Sequence, residues 1–265
     1  MQAIENAIQL LDCFSIEQPE LGVREAARLL RLSTSSTGRL MLTLKELGVL
    51  IQNPQTHRYS LGGKVMTWSG IYLANLDVRE RALPFMEKLH HMTQETISLY
   101  VMEGDERVCV ERMESMHSVR IVTRIGRRLP LHAGSAGKVF LAYMPEERRK
   151  IILSTPQLSP LTPNTIVNVD DLRDEIARVR QKGFAVSFGE WLIDAAGVAA
   201  PILDMHGEIL AALSISGPTQ RFTRERVHYY TLEVVKTAHQ ISMALGYRGN
   251  PPAVYEEAPL PLSMP

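Results

Sequence analysis

The residues with the clearest chemical potential form a run of hydroxyl side chains followed by an arginine. Ser33, Thr34, Ser36 and Thr43 carry hydroxyls and Arg39 carries a guanidinium, within one short helical pattern. Hydroxyls donate and accept hydrogen bonds, and a guanidinium binds phosphate oxygens or the edge of guanine. The run therefore favours contact with nucleic acid. An ordinary capped and solvated helix start is the alternative that these residues alone leave open.

Three predicted helices would position this run. The first extends from Ala3 to Ser15, the second from Val23 to Leu30, and the third begins at an N-cap, Ser33, and ends near Gly48. Two short helices with a tight connection match a helix-turn-helix, whose second helix enters the DNA major groove. Gly38 lies inside that helix, where it either allows a close approach to DNA or is simply tolerated. The inward face of the third helix is predicted to be Leu40, Met41, Leu44 and Leu47.

A predicted hairpin follows the third helix and would make the module a winged helix. The apolar segment 49–52 precedes the turn formers Asn53 and Pro54, and a second short strand follows at 57–61. His57 and Arg58 are the candidates for contacting the DNA backbone from the wing, and Arg24 is a further candidate in the second helix. Residues 21–64 contain seven basic and two acidic side chains, the local excess expected of a DNA-binding module.

Bulk properties limit the class of protein. A length of 265 residues favours two domains, 45% hydrophobic residues favour folded cores, and 29 basic residues balance 29 acidic ones. Cys13 and Cys109 lie in apolar patterns typical of buried small hydrophobic residues rather than of a disulfide. The first residues lack the basic start of a signal peptide, and no apolar run approaches the roughly 20 residues that span a bilayer. We expect a soluble, cytoplasmic protein that does not contact membranes.

A second chemically suggestive segment lies in the C-terminal part of the chain. Gly134, Ser135 and Ala136 form a small-residue turn that leads into a predicted helix. Amides at a helix N-terminus, together with the helix dipole, favour an anion such as a carboxylate. A tight turn that simply requires glycine is the alternative.

Strands and helices alternate irregularly through this part of the chain. Strands are predicted near 96–102, 108–113, 119–124, 185–188, 198–203 and 209–216, and helices at 78–92, 135–143, 170–182 and 222–245. Neighbouring hairpin-like strands mixed with helices indicate an α+β fold. An apolar helix from Lys64 to Asn75 would connect the two parts. It is interpreted either as packing on its own domain or, preferably, as a linker helix with a dimer contact.

Several short motifs, taken together and in order, make the chain resemble the IclR family of bacterial transcriptional regulators over roughly residues 3–248. These motifs are AIENAIQLL at 3–11, SSTGRL at 35–40, YSLG at 59–62, GRRLPLHA at 126–133, AGK at 136–138, LTPNT at 161–165, AAP at 199–201 and AALSISGP at 211–218.

The resemblance implies an arrangement of domains and a function. A winged helix-turn-helix would occupy residues 1–62, a linker helix 63–76 and a GAF-like effector-binding domain 77–248, and we expect the proline-rich tail 249–265 to be disordered. It also implies dimers, often paired into tetramers, on palindromic double-stranded operators. Most members repress transcription. The chain departs from the family at Thr37 and Gly38, which leaves the operator sequence open.

The resemblance also implies an effector site for a small organic acid. Strand hydroxyls matching those that assist the helix turn in relatives are Ser214 and Ser216, and simple backbone satisfaction of these hydroxyls is the alternative. Regulators of very small oxo-acids tend to have Asp and Cys where this chain has Ser187 and Gly197. We therefore expect a larger, less polar cavity and a bulkier acid, aromatic or branched. Other expected lining residues are Met102, Glu190 and Trp191.

Enzymatic function is disfavoured. The run from Gly134 to Gly137 is not the G-x-S-x-G elbow of hydrolases, and the sequence contains neither a phosphate-binding loop nor zinc-ligand spacing. No cofactor is expected. The remaining alternative is a small-molecule sensor that acts mainly through protein partners and uses the winged helix only for dimerisation.

Overall fold

The polypeptide divides into two units, Met1–Asn75 and Leu76–Pro265, in a computed structural model. The structure describes residues 2–74, 77–121, 124–154 and 158–250, with the side chains of residues 73 and 74 left out. The expected disordered tail falls largely on 251–265, outside the described residues. Among the described helices, none has the length and apolar character needed to cross a bilayer.

Three helices and a hairpin enclose the core of the first unit. Leu10, Met41, Leu50 and Tyr59 are fully or almost fully buried in this core. A backbone bridge between Leu21 and Tyr59 ties the segment before the second helix to the hairpin. The order agrees with the predicted winged helix. The elements are α1 (Gln2–Asp12), α2 (Val23–Leu30), α3 (Thr34–Glu46), β1 (Leu50–Gln52), β2 (Tyr59–Leu61) and α4 (Gly63–Ala74).

The inward face of α3 differs from the prediction at both ends. Met41 and Leu44 are buried as expected, but Leu47 is 55% exposed, because it lies at the helix C-cap where the chain turns away. Thr37 is fully buried instead. Its hydroxyl donates to the Ser33 carbonyl at 3.1 Å, so this polar side chain enters the core with its hydrogen bond satisfied. The family departure at Thr37 therefore concerns the core.

Helix α4 presents apolar side chains to solvent. Val65 packs against the core of the first unit, whereas Met66 is 80% and Trp68 is 48% exposed. Exposed apolar side chains in these numbers on one helix mark an interaction surface in soluble proteins. A helix is thus present at residues 63–74 of the predicted linker, and Val65 in its first turn packs on the core of its own unit.

An antiparallel sheet forms the centre of the second unit. The described strands are ordered β5-β4-β3-β8-β7-β6, so the two central strands, β3 and β8, are far apart in sequence. Small and β-branched residues dominate β7 and β8, which suits strands covered on both faces. The strands are β3 (Thr96–Glu103), β4 (Glu106–Met113), β5 (Arg128–Pro130), β6 (Ala185–Phe188), β7 (Ala195–Leu203) and β8 (Ile209–Pro218).

Helices cover both faces of this sheet. Helices α5 and α9 pack on each other, α5 against β3 and β4 and α9 against β7 and β8. Helix α6 packs on β6, β7 and β8 from the other face, with α8 beyond it. The expected α+β class is confirmed. The helices are α5 (Asp77–Thr93), α6 (Ser135–Tyr143), α7 (Glu146–Leu153), α8 (Val169–Lys182) and α9 (Arg224–Ala244).

Three elements of the second unit differ from the sequence prediction. The predicted strand at 119–124 is wrong for its described residues, because 119–121 and 124 form no strand, while 122 and 123 lie outside the description. Strand β5 and helix α7 were not predicted, since three-residue strands and highly charged helices have weak periodicity.

Candidate DNA-contacting surface and effector site

A sharp left-handed turn joins α2 to α3. Arg31 adopts φ 54°, and the amide of Leu32 donates to the Ala27 carbonyl at 3.0 Å, which closes the end of α2. Ser33 then caps α3, because its hydroxyl accepts the amide of Ser36 at 3.2 Å. Ser33 is therefore occupied with capping, whereas the residues just after it begin the exposed part of the helix.

The outward face of α3 is polar and contains most of the predicted DNA-contacting residues. Thr34, Ser36, Arg39 and Thr43 are all exposed, although the hydroxyl of Ser36 also accepts a hydrogen bond from Ser33 at 2.9 Å. Sequence reasoning missed two exposed residues on this face. They are Ser35 and Leu42. Because Thr37 is buried, the exposed face of α3 is centred on a different side of the helix from the predicted one, and that side includes Ser35 and Leu42.

Gly38 faces the first helix of the motif. A β-carbon at Gly38 would lie 3.5 Å from the Val23 side chain of α2, which is an ordinary van der Waals distance. The glycine therefore lies toward the contact between the two helices. The interpretation that Gly38 lets the backbone approach DNA closely is not supported, and alanine would fit here.

The two wing residues that are predicted to contact DNA have different surroundings. His57 is exposed at the hairpin turn with φ 56°. Arg58 is half-buried and donates to the Glu20 carbonyl and to the Glu25 carboxylate, each at 2.8 Å. Glu25 also accepts the Gly22 amide at the start of α2, and this hydrogen bond lowers the pKa of the carboxyl. Arg58 thus connects the wing to the start of α2 in this structure, and its contact with DNA stays a prediction.

Positive charge surrounds the outward face of α3. Arg24 and Arg28 are exposed on α2, Arg31 is exposed in the turn, and Lys45 is exposed near the end of α3. Lys45 donates to Gln52 of β1 at 3.0 Å, so it leans toward the wing. A polar helix face flanked by cations can read base edges while neighbouring side chains bind phosphates.

The turn before α6 has room only for residues without large side chains. Gly134 has φ 81°, and a β-carbon there would lie 3.1 Å from Arg107 and 3.3 Å from Trp191. A β-carbon at Gly137 would collide with the Leu131 carbonyl and with Arg107. Gly134 and Gly137 are therefore required because Arg107 and neighbouring backbone lie so close to them. As a result, the start of α6 packs directly against the buried guanidinium of Arg107.

Side chains of the protein already satisfy the first amides of α6. The amide of Gly134 donates to Glu190 at 2.8 Å, and that of Ser135 donates to the Ser187 hydroxyl at 3.1 Å. A carboxylate thus lies at the helix start, where the helix dipole favours negative charge. The next amides, at Ala136 and Gly137, lie in the first turn, where a helix offers them no acceptor of its own.

A buried ion-pair network holds Glu190 in place. The ammonium of Lys138 donates to Glu190 at 2.6 Å, to Glu175 at 3.1 Å and to the Val186 carbonyl at 2.7 Å. Burial alone would lower the pKa of Lys138, but the two carboxylates outweigh it and leave that pKa raised. Burial would likewise raise the pKa of Glu175, and the ammonium leaves it lowered.

Arg107 lies beneath the same turn and was missed by sequence reasoning. It is 2% exposed, donates to the carbonyls of Pro130 and Ala133 at 2.5 and 2.6 Å, and stacks 5.5 Å from the ring centroid of Tyr100. Burial lowers the pKa of this guanidinium. Its position adds positive charge under the start of α6, which favours an anion there.

Hydroxyl side chains form the sheet surface that α6 covers. Ser187, Gly197, Ser216 and Thr96 are aligned across β6, β7, β8 and β3. Two residues along, Ser214 pairs with Ser98. These positions share the face of Ala199 and Ala212, which pack in one core cluster with Ala136 of α6.

The predicted effector residues fall around one region of the second unit, with one change of interpretation. A β-carbon at Gly197 would lie 3.1 Å from the Ser135 hydroxyl. The space above this glycine is therefore occupied by Ser135 of α6 and does not enlarge a cavity. Glu190 restores an acidic group that Ser187 lacks. The expectation of a larger, less polar cavity stays a prediction. Met102 pairs with Arg107 at the far end of β3, away from the serines.

A helix-turn-helix with a wing in one unit and an α+β fold in the other are typical of DNA-binding regulators that respond to a ligand. The sequence model of the IclR helix-turn-helix domain matches residues 3–54, and that of the bacterial transcriptional regulator IclR C-terminal domain matches residues 70–243.

Individual relatives agree with these matches. The chain is 32% identical over 250 residues to the transcriptional repressor AllR of Escherichia coli, covering 94% of this chain and 92% of AllR. The crystal structure of Thermotoga maritima IclR is similar with a TM-score of 0.77 and 31% identity, over 93% of this chain and all of that one. An IclR homologue from Microbacterium hydrocarbonoxydans, complexed with 4-hydroxybenzoate, has a TM-score of 0.78 and 25% identity, over 92% and 98% of the two chains.

The chain belongs to the IclR family. It is a ligand-responsive, DNA-binding transcriptional regulator, and the names of its family and relatives are those of regulators rather than of enzymes.

Proposed function

We propose that the outward face of α3 reads the operator in the major groove. Arg39, Thr34 and Thr43 supply the donors and acceptors for base edges, and the exposed Ser35 and Ser36 extend this surface to the backbone. Arg24 and His57 contact phosphates on either side, with Ser33 acting as the cap that orients the helix. The observation that carries this assignment is the exposure of the polar face while Thr37 and Met41 enter the core.

The effector in this proposal is a small organic acid bound at the start of α6. Its carboxylate accepts the amide of Ala136 and hydrogen bonds from Ser135, Ser214 or Ser216, all on the covered side of the sheet. Ser187, Glu190, Gly134 and Gly197 shape the site, because they fix the first turn of α6 against β6 and β7. The buried Arg107 strengthens the positive potential at the carboxylate.

The assembly in this proposal is a homodimer, with pairing into tetramers, on a palindromic operator. The exposed apolar residues Met66 and Trp68 of α4 supply a contact for a second copy, with residues 63–76 acting as the linker between domains 1–62 and 77–248. Binding at the operator represses transcription. A regulator that acts on the chromosome works in the cytoplasm.

A DNA-binding measurement with and without acid tests the whole proposal. A fluorescent DNA fragment selected by the protein from a random library is titrated at several salt concentrations. We expect the logarithm of the affinity to fall steeply with the logarithm of the salt concentration, because phosphate contacts release counterions. Acids from a small panel should then change the affinity. Binding that is insensitive to salt would favour a sensor that acts through protein partners instead.

A further inference from the structure

A cavity lies in the second unit at the opposite end of α6 from the small-residue turn. Its volume is about 290 Å³, and Tyr143, the last residue of α6, forms part of its wall. Ser135 and Tyr143 are the two ends of this helix, so about 12 Å of helix separates the cavity from the proposed effector site. The apolar part of the wall comes from β7 and α9 and consists of Ala200, Pro201, Leu203 and Val235.

The end of β7 that lines this cavity is poorly suited to binding a peptide strand. Strand β6 pairs with β7 only as far as Ala199, so the residues that follow lie at the edge of the described sheet. Pro201 has no amide hydrogen, and the amide of Leu203 already donates to the Ser242 hydroxyl at 2.9 Å. A peptide that adds to a sheet edge needs backbone hydrogen bonds along it. The cavity therefore favours a small molecule.

A stacked pair of side chains, Arg180 and Tyr143, forms a polar part of the wall. The Cζ atom of Arg180 lies 4.4 Å from the centroid of the Tyr143 ring. Stacking occupies a face of the guanidinium and leaves the N–H groups in its plane for hydrogen bonds. Arg173, on the same helix, pairs with Asp170 three residues earlier, whereas Arg180 has Ala177 at that spacing. No described residue accepts a hydrogen bond from Arg180 or forms an ion pair with it.

Aromatic side chains complete the cavity. His239 and Tyr247 meet edge to face, with ring centroids 6.0 Å apart. Burial raises the pKa of the Tyr143 phenol, so this side chain is neutral at pH 7. The described residues that line the cavity include no aspartate or glutamate. The guanidinium of Arg180 is therefore the full charge that a ligand would meet among these lining residues, surrounded by apolar and aromatic surface.

Two helix ends limit the negative charge that suits this cavity. Helix α6 ends at Tyr143 and α8 at Lys182, and a helix C-terminus has a partial negative charge of about half an elementary charge. These partial charges offset part of the positive charge of Arg180. A group with one negative charge therefore suits the cavity better than a doubly charged phosphate.

We propose that this cavity is a second ligand site, separate from the effector site at the start of α6, and that it binds an aromatic monocarboxylate. The carboxylate accepts two parallel hydrogen bonds from the guanidinium of Arg180, the geometry that suits this pair of groups. The ring of the ligand packs on Ala200, Pro201 and Val235. A volume close to the lower limit of ligand pockets, about 300 Å³, suits a molecule of one or two rings.

Three probes with the same naphthalene ring test the charge of the ligand. 1-Naphthylacetate has one carboxylate, 1-naphthylacetamide is neutral, and 1-naphthyl phosphate has up to two negative charges. Dissociation constants are measured by calorimetry on the full-length protein. We expect 1-naphthylacetate to bind most tightly and the amide to bind about tenfold or more weakly, because the amide lacks the charge that strengthens the hydrogen bonds with Arg180.

Variants of two different walls test the position of the ligand. Arg180→Gln removes the guanidinium, and Val235→Phe fills the apolar part of the cavity; each should weaken the binding of 1-naphthylacetate about tenfold or more. The matched control is Arg173→Gln, which removes an exposed arginine of the same helix outside the cavity and should leave the affinity unchanged. Melting curves without ligand verify that the variants are folded, and Arg180→Gln, at an exposed position, provides the test if Val235→Phe is not.

The remaining outcomes would each overturn the proposal. If 1-naphthylacetate binds the wild type but both cavity variants keep its affinity, the acid binds elsewhere and the second site is wrong, while the proposed effector site is unaffected. Equal binding of the acid and the amide, or tighter binding of the phosphate, would show that the assigned ligand class is wrong. Absence of binding of all three probes to the wild type would contradict a site for an aromatic acid in this cavity.

Discussion

The hydroxyl of Ser187 accepts the amide of Ser135 at 3.1 Å, so a side chain from β6 satisfies the first residue of α6. Ser187 is neutral. The amide of the preceding residue, Gly134, instead donates to a charged group, the carboxylate of Glu190. The start of α6 therefore has one internal negative charge, and in the proposed site its next amides receive the carboxylate of the acid. The identity of residue 187 thus sets how much negative charge the site already contains.

A second carboxylate beside Glu190 should weaken acid binding. Regulators of very small oxo-acids tolerate Asp at position 187, so the expected loss comes from the pair of carboxylates rather than from Asp alone. In Ser187→Asp the new side chain would lie beside Glu190 at the start of α6, and its repulsion of a ligand carboxylate should weaken acid binding about tenfold or more. The neutral variant Ser187→Asn has nearly the same shape and serves as the control. Calorimetric titration with whichever acid binds the wild type measures both. Equal affinities for the two variants would contradict binding of the carboxylate at this turn.

The network of Lys138, Glu175 and Glu190 should give the second unit a stability that depends on pH at both extremes. The raised pKa of Lys138 contributes stability below its unfolded value of about 10.4, and this is lost as the pH rises through the higher folded value. The lowered pKa of Glu175 contributes stability above about 4.3, lost as the pH falls through the lower folded value. Urea unfolding across the pH range should therefore give a plateau between these limits.

Breaking this network should be costly. Lys138→Met leaves the Glu190 carboxylate buried without its ammonium, and we expect a loss of about 3–5 kcal/mol in the free energy of unfolding. The double variant Lys138→Met with Glu190→Gln removes the uncompensated charge and should recover part of the loss. Urea denaturation at pH 7 measures both. A double variant that is as unstable as the sum of its single variants would mean that the two residues are not coupled.

Arg39 should carry sequence discrimination. Its side chain is exposed at the centre of the outward face of α3, and a side chain that reads a base edge contributes about 1–3 kcal/mol of discrimination. Arg39→Ala should therefore weaken binding to the selected operator by about tenfold or more, with a smaller effect on random DNA. Arg148→Ala, in the second unit, is the control. The comparison uses fluorescence anisotropy, and an equal loss on both DNAs would restrict Arg39 to a phosphate contact.

Local patterns predicted the elements of this chain better than the directions of individual side chains. Apolar spacing placed α2, α3 and the hairpin correctly, because each buries one regular face. It failed at Thr37 and Leu47, since Thr37 satisfies its hydroxyl on the Ser33 carbonyl and can therefore enter the core. It also missed Arg107, because the burial of an arginine depends on distant carbonyl groups that periodicity does not reveal.

The sequence pattern also does not distinguish an exposed arginine from a paired one in the DNA-binding unit, and this difference can be tested. Arg24 and Arg58 are both arginines of the DNA-binding unit, but Arg24 is exposed whereas Arg58 is paired with Glu25 at 2.8 Å. Arg24→Ala should reduce the slope of log affinity against log salt by about one, because one phosphate contact is lost. Arg58→Ala should leave that slope unchanged and instead loosen the wing, lowering affinity equally at all salt concentrations. Anisotropy titrations at four salt concentrations distinguish these results, and a reduced slope for Arg58→Ala would place it on the DNA-contacting surface.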